Sequence, residues 1–497
     1  MSRLPLMILA MLALPSAHAV ELRPTYPAVN EATGAQDYIG CAAAANGDIA
    51  TVWRSATTAR IPYVKRVDAS GAVIGATESM QLPQDTISVS AAKNGAFAVL
   101  HAKANGSNTD LYLSVYNRNG QLVAAPVRVN DTQHTGITGL VKVAQDGTIA
   151  VAWYTWGNLP ARNGYLKRFN ANGAPLNYQR QFGGDNVYVA NGVDTDTNGD
   201  VIVAFTSNTG GRYDTMAVRY SSAEDWVYPA ARVNTYLGTR QWGSSLAMNA
   251  AGNYLVSWVT HGQDGNGFST YAQLFARGGA RIGQPTRVST QISDDSASAA
   301  LLFDNNSYAV AWMSYVAGQR TINFAQVDSA GAVVAAPTVA TPHINYVGPF
   351  SLCGTTAGKF SIQWRPAAVS GSSWTADVLA RDYMADTVVT PTLLASGVPA
   401  SNLSDAAGGW KYFKVIVPAN TGSMRIALSS RVTPASGNAD LFLRYGGLPT
   451  LATTDGRTTE AGNNDSLTVS APPPGTFYIG VYGQAAYAAA DLTVILR

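Results

Sequence analysis

Four groups of residues have types and spacings that could do chemistry. Asp194-Thr-Asp196-Thr-Asn198-Gly199-Asp200 places side-chain oxygens at alternate positions ahead of a glycine, which is how a calcium loop begins. The bidentate acid of an EF-hand is missing, because Phe205 stands where it would fall, and the other repeats make the same tight turn without such a run of carboxylates, so an ordinary Asn-Gly hairpin is the preferred reading over calcium. Two cysteines, Cys41 and Cys353, are too few for a Cys-rich zinc site but sufficient for one disulfide in an oxidising compartment. The histidines show no metal spacing, with no HExxH and no GxSxG elbow anywhere in the chain. His134, His261 and His343 fall in separate loops. A triad or a carboxylate pair assembled in space from distant loops stays open.

The fourth group is a set of segments rich in Asn, Gly, Arg and aromatic residues: YTWGNLPARNG (154–164), TSNTGGRYD (206–214), THGQDGNGFS (260–269) and RPAAVSGSSW (365–374), with NDTQHTGITG and NTYLGTRQWG between them. Flat rings and guanidinium groups on loops are suited to recognition, so Trp156, Arg212, Tyr236, Arg240, Trp242, His261 and Trp374 are candidate ligand contacts. The alternative is that they only cover the ends of the elements beneath them.

Those elements are repeats. A tight turn followed by an alternating apolar strand recurs as NGDIATVW, NGAFAVLH, DGTIAVAW, NGDVIVAF, AGNYLVSW, NNSYAVAW and AGKFSIQW. The turn residues Gly47, Gly95, Gly147, Gly199, Gly252, Asn306 and Gly358 are spaced by 48 to 54 residues, and six positions later stands the column Trp53, His101, Trp153, Phe205, Trp258, Trp312 and Trp364. His101 in that column reads as a packed, hydrogen-bonded core residue. Each repeat contains about four short strands, which is the pattern of β-propeller blades. The expected fold is all-β, a seven-bladed β-propeller over residues 20–386. In such blades the first and third connections share one end, while the second connections and inter-blade links share the other. The long segments above all fall at that second end, and the first end is trimmed to hairpins.

Closure can also be read. Ala28-Val29-Asn30 matches the last strand of a blade and would complete blade seven, in competition with Thr387–Val389. Cys41 lies six residues before Gly47 and Cys353 five before Gly358, so a disulfide between them would lock the seam of the ring. The one-residue offset calls for a turn one residue shorter in repeat seven, since neighbouring strand positions point to opposite faces.

Composition sets the compartment and excludes several classes. With 33 basic and 31 acidic residues and a formal charge of +2, the chain offers no electrostatic reason to expect nucleic acid. Residues 1–19 read as a signal peptide: a basic start, the apolar run Leu4–Leu14, and Ala17-His18-Ala19 at the cleavage point. No later stretch is apolar enough to enter a membrane as a helix. A secreted monomer, periplasmic or extracellular, is expected.

The repeats resemble a loosely defined unit of bacterial secreted and surface proteins, with YAQLFARGG (271–279) as the best match. This covers most of residues 38–386 and implies no chemistry. After a linker at 387–392, residues 393–497 alternate like the strands of a small β-sandwich. GWKYFKVIVPANTGSMRIALSS, GNADLFLRYGGLPT and GNNDSLTVSAPPPGTFYIGVYG resemble the bacterial pre-peptidase C-terminal domain. The resemblance implies an accessory sandwich of secreted peptidases, in some relatives removed after export or able to bind insoluble protein. Calcium-binding relatives carry acids in the linker and just before the YF strand. Here Thr387–Pro399 holds none, and Gly408-Gly409-Trp410-Lys411 precedes Tyr412, so calcium is not expected in this domain and no cofactor is assigned. Asp440 matches the family's best-kept acid, explicable by strand-end hydrogen bonding or by a ligand role.

The reading reached is a non-catalytic binding protein, recognising an extracellular glycan or insoluble protein through the long-segment face. An extracellular hydrolase or lyase with its site on the same face is the alternative, and a structural surface component is a third.

Overall fold

A computed structural model describes residues 19–497 apart from 30–35, 56–60, 76–79, 157–161, 291–293, 334–337, 341–346, 367–377, 386–390, 433–436 and some single or paired positions. Two compact units share the chain, one built from His18–Thr390 and the other mainly from Pro391–Asp405 and Trp410–Arg497.

In the first unit the described residues form seven four-stranded antiparallel sheets, six of them with strands paired in chain order. Blade 5 is typical: Gln241–Met248 lies innermost, followed outward by Tyr254–His261, Phe268–Phe275 and Arg281–Arg287. The seventh sheet pairs Val20–Val29 on the outside of Val378–Met384, so the N-terminal strand closes the ring. Thr387–Val389, the competing closure, lies outside the described residues.

The column residue of each blade is buried. Trp53, Trp153, Trp258, Trp312, Trp364 and Phe205 are at most 2% exposed, and the first three stack on the tyrosine opposite them, Tyr63, Tyr165 and Tyr271. His101 takes the same place and stacks on Tyr112. It is packed as expected, and its buried Nδ1 has no hydrogen-bond partner among the described residues. Tight first turns recur because their Gly adopts positive φ without strain; where Asn306 replaces it, φ is 64°, a value asparagine tolerates.

Links across the seam between blades one and seven among the described residues include the Cys41–Cys353 disulfide, a hydrogen bond from Thr51 Oγ1 to Gln363 Oε1 (3.0 Å), and one from Lys359 Nζ to the Ala69 carbonyl (3.1 Å). The turn of repeat seven is not shorter. Ala44 N bonds to Asp48 O and Gly47 N to Ala44 O, just as Thr355 N bonds to Lys359 O and Gly358 N to Thr355 O. The offset survives because adjacent blades meet face to face, so a side chain leaving one face must meet the opposite face of its neighbour. Ser90, five residues before Gly95, likewise accepts from Val143 N, four before Gly147. The seam thus takes up the one-residue offset with both turns unchanged.

A second column ties neighbouring blades at the trimmed end. Arg66, Arg168 and Arg219 occupy equivalent positions on third strands, and each reaches carbonyls in the turns of another blade: Arg118 O for Arg66, Ser221 O and Ser222 O for Arg168, Gly252 O and Arg277 O for Arg219. Blade two has Val115 at this position, opposite Ala98. There a cavity of about 240 Å³ opens, lined by Phe97, Val115, Val123, Val143 and Ile149 among others.

The second unit is a sandwich of a five-stranded and a four-stranded sheet. Phe413, Val415, Ile426, Leu441, Ile479 and Leu492 are among the residues that fill its core. Thr392–Leu393 pairs with the Trp410–Val417 strand, so the sheet takes in Thr392, which the sequence reading assigned to the linker.

Candidate functional site

The residues resembling a calcium loop are taken up by protein cations. Arg219, fully buried, sets Nη2 2.7 Å from Asp196 Oδ2 and 2.9 Å from Asp200 Oδ2. Arg277 adds a contact of 2.8 Å to Asp200, and the amide oxygen of Asn198 accepts from it in the orientation that satisfies both groups. Asp194 instead faces Lys142 Nζ (2.9 Å) and Met248 N (2.9 Å). Burial works to raise the Asp200 carboxyl, but hydrogen bonds from Arg277 and Arg219 outweigh it and hold it below the usual range. This is an inter-blade clamp at the trimmed end. Among the described residues no three His, Cys, Asp or Glu side chains converge as a metal centre. His134 packs on Tyr165 and His261 on Phe268, in different blades, while His343 lies outside the described residues.

At the opposite end the structure joins most of the predicted contacts. The Arg240 guanidinium stands 5.3 Å from the Trp242 ring centroid; Trp242 stacks on Phe268 at 5.2 Å, and Phe268 meets His261 at 4.7 Å. The Tyr236 hydroxyl donates to Gly262 O at 3.3 Å. Arg212 pairs with Asp214 at 2.9 Å; Asn234 Nδ2 donates both to Asp214 Oδ1 (3.0 Å) and to Tyr236 O (2.8 Å), which links blades four and five.

Sequence reasoning missed the continuation of this ridge. Tyr213 forms a backbone bridge with Arg240 and meets Tyr188 edge-on at 5.0 Å, and the Arg162 guanidinium lies 4.7 Å from the Tyr188 ring. Arg162, Tyr213 and Phe268 lie inside the quoted segments, so the signal was present; Tyr188 lies on an inner strand and gave none. Trp156 is 51% exposed on blade three and makes no ring contact with the ridge among the described residues. Trp374 lies outside the described residues.

One expected long loop is not a loop. Residues 206–214 continue the strands Val201–Thr209 and Arg212–Tyr220, which meet at a two-residue Gly210-Gly211 turn. Two glycines at positive φ close the hairpin tightly, and the strands extend with it. Arg212 and Tyr213 are thus held on a rigid ladder.

Five acids of this end are engaged in holding it together. Asp110 contacts Arg128 (2.9 Å) and accepts from Asn130 (2.8 Å) and Asn105 (2.9 Å); burial would raise its carboxyl, but these partners hold it below the usual range. Asp131 holds Lys167 at 2.5 Å, and Asp264 holds Arg287 at 2.8 Å and accepts from Ser269 at 2.6 Å. Asp295 accepts from Thr270 N at 3.0 Å and Ser314 Oγ at 2.9 Å. Arg162 and Arg240, by contrast, lie against rings and have no carboxylate partner among the described residues.

The model of the bacterial pre-peptidase C-terminal domain matches residues 411–483. The same region is 37% identical over 99 residues to alkaline serine exoprotease A of Vibrio alginolyticus, covering 20% of this chain and 18% of that protein. It is 31% identical over 107 residues to the virulence metalloprotease of Vibrio anguillarum, covering 21% and 17%. The chain thus spans less than a fifth of the length of these relatives. Solved structures similar to the propeller include an ulvan lyase (10% identity, TM-score 0.44, 75% of this chain and 95% of that one) and the propeller domain of the trilobed protease of Pyrococcus furiosus (7%, 0.41, 68% and 97%). The C-terminal sandwich of this chain is a bacterial pre-peptidase C-terminal domain, carried behind a seven-bladed propeller.

Proposed function

We propose that this is a secreted, non-catalytic binding protein that recognises a glycan or an extracellular protein across the rim of blades three to five, with its C-terminal domain serving export or attachment. The observation that carries this reading is the ridge Arg162–Tyr188–Tyr213–Arg240–Trp242–Phe268, in which rings held on strands are joined by the guanidinium-bearing Arg162 and Arg240 of the adjoining connections. Such a surface offers flat apolar faces and hydrogen-bond donors together. Binding is favoured over turnover because five acids of this end, Asp110, Asp131, Asp214, Asp264 and Asp295, are each engaged by neighbouring donors or cations. A secreted location is supported by the signal-like N-terminus, the seam disulfide and the Vibrio protease relatives.

The exported protein would be tested for retention by immobilised polysaccharides and collagen, with product release followed in parallel. Trp156→Ala and Trp242→Ala are expected to weaken retention while leaving the unfolding midpoint nearly unchanged. Released product would favour the hydrolase or lyase reading; unfolding by either substitution would make these rings mere cover for the blade ends.

A further inference from the structure

The sandwich buries two carboxylates that nothing in the propeller or its proposed role employs. Asp440 stands on the core strand Asn438–Tyr445 and is 3% exposed; Asp465 is 2% exposed. The segment leading to Asp465 is laid along that strand by backbone contacts: Ala439 N donates to Gly462 O at 3.1 Å, and Gly462 N donates to Asn438 Oδ1 at 2.9 Å. Asp465 Oδ2 then accepts from Leu441 N at 3.3 Å, and its own carbonyl accepts from Leu428 N at 2.8 Å. Both Asp440 and Asp465 are therefore fixed by backbone, side by side, on the inside of the domain.

Their remaining oxygens are not satisfied. Asp440 Oδ1 and Asp465 Oδ1 are both buried without a hydrogen-bond donor among the described residues. Strand-end hydrogen bonding, one of the two explanations open for Asp440 from the sequence, does not account for its Oδ1. No Lys, Arg or His forms an ion pair with either carboxylate among the described residues. Desolvating one carboxylate costs several kcal/mol, and a second beside it adds repulsion, so the arrangement calls for a positive charge between them. Asn463, wholly buried two residues before Asp465, brings an amide to the same stretch, and Glu460 adds a further negative charge near Asp465. The available donors are all oxygens, the set preferred by a hard divalent ion, with backbone carbonyls and water completing six to eight ligands.

We propose that Asp440 and Asp465 hold a Ca²⁺ ion between the Asn438–Tyr445 strand and the 460–465 segment. This place is separate from the linker and the residues before Tyr412, where acids are lacking. It uses two carboxylates rather than three, and such a site ties the long 446–465 connection to the core strand.

The test uses the full exported chain, stripped with chelator and returned to Ca²⁺, Mg²⁺ or Na⁺. Calorimetric titration is expected to show one Ca²⁺ per chain, and scanning calorimetry a Ca²⁺-dependent rise in the midpoint of one transition. Asp440→Asn and Asp465→Asn should each abolish both signals. Should one variant fail to fold, the other decides. Absence of Ca²⁺ binding by the wild type overturns the proposal, as does binding that survives both substitutions. So does an Asp440→Asn variant that is more stable than a wild type blind to Ca²⁺, the signature of two carboxyls sharing a proton.

Discussion

Replacing Arg219 with methionine should destabilise the propeller by about 3–5 kcal/mol, the cost of breaking a buried ion pair from one side. The Arg219 side chain is fully buried and makes four charge-assisted contacts: Asp196 at 2.7 Å, Asp200 at 2.9 Å, Gly252 O at 2.7 Å and Arg277 O at 3.1 Å. Methionine keeps most of the volume but leaves Asp196, itself 1% exposed, facing two abandoned carbonyls across a dry interface. Arg277 is the nearest substitute cation, yet it stands 3.6 Å from Asp196 and is 45% exposed, so solvent screens what it could restore. The same argument makes Arg277→Ala nearly silent, at about 0–1 kcal/mol. Urea titration of the exported protein, following intrinsic fluorescence, measures both. Adding Asp196→Asn to Arg219→Met should recover much of the loss, because the amide removes the uncompensated charge while keeping an oxygen for Asn198 N and Asp200 N. A shift below about 1 kcal/mol for Arg219→Met would refute the reasoning, since it would place the clamp in the class of solvent-screened pairs. Retention of ligand should be unchanged in folded Arg219→Met, as the clamp sits at the trimmed end.

Cys41→Ser with Cys353→Ser should lower stability by about 2–5 kcal/mol, read as a reduced urea midpoint, and labelling of the wild type should find no free thiol. Trp258→Ala should cost about 3–5 kcal/mol by emptying a fully buried column position, measured in the same titration. Burial and the charge of Lys103, against Asp85, hold the His101 imidazole below its ordinary value. Its unfolded form binds a proton first, so the stability it contributes is complete above about pH 6.5 and falls as pH drops through that value. His101→Trp should therefore shrink the difference in midpoint between pH 7.5 and pH 5; an unchanged pH slope would count against it. Val115→Arg should fill the cavity between blades two and three and reach the turn carbonyls there, raising the midpoint by about 0.5–2 kcal/mol; a lowered midpoint would mean the site cannot seat a guanidinium.

What was legible in the sequence, and what was not, follows from the range of the interactions involved. The Gly-to-Trp spacing is local, so blade number, strand order and the buried column could be read from one chain without any partner in view. The disulfide could be placed too, because a ring makes the first and last repeats neighbours, while the closing strand could only be narrowed to two candidates. The offset of the cysteines was the point of failure: comparing positions as though they shared one sheet imposes equal parity, whereas the two cysteines stand on facing surfaces of different blades and the disulfide forms across the offset. The Asp194–Asp200 segment carried a metal-like pattern whose cations, Arg219 and Arg277, lie 19 or more residues away and belong to other strands and turns. No local motif reports a cation that arrives from elsewhere in the fold.

The rim shows the same limit from the other side. Its residues were chosen for type, and five of the seven, Arg212, Tyr236, Arg240, Trp242 and His261, fall into one connected cluster. Tyr188 belongs with them only because the Tyr213–Arg240 bridge carries the ridge from blade five back onto blade four, a contact between chain segments with no shared pattern. Rigid strands rather than long loops hold this surface: Arg212 and Tyr213 extend a ladder, and Trp242 and Phe268 open strands of blade five. A ligand meeting side chains fixed in this way loses less affinity to the ordering of its receptor than one meeting mobile loops. Lengthening the Gly210-Gly211 turn with two glycines, which frees Arg212 and Tyr213 without removing either, should therefore weaken retention through faster dissociation while leaving the association rate nearly unchanged. Surface plasmon resonance on the ligand found by retention would separate the two rates. An unaltered dissociation rate would show that the ridge of blade four is not where the ligand rests.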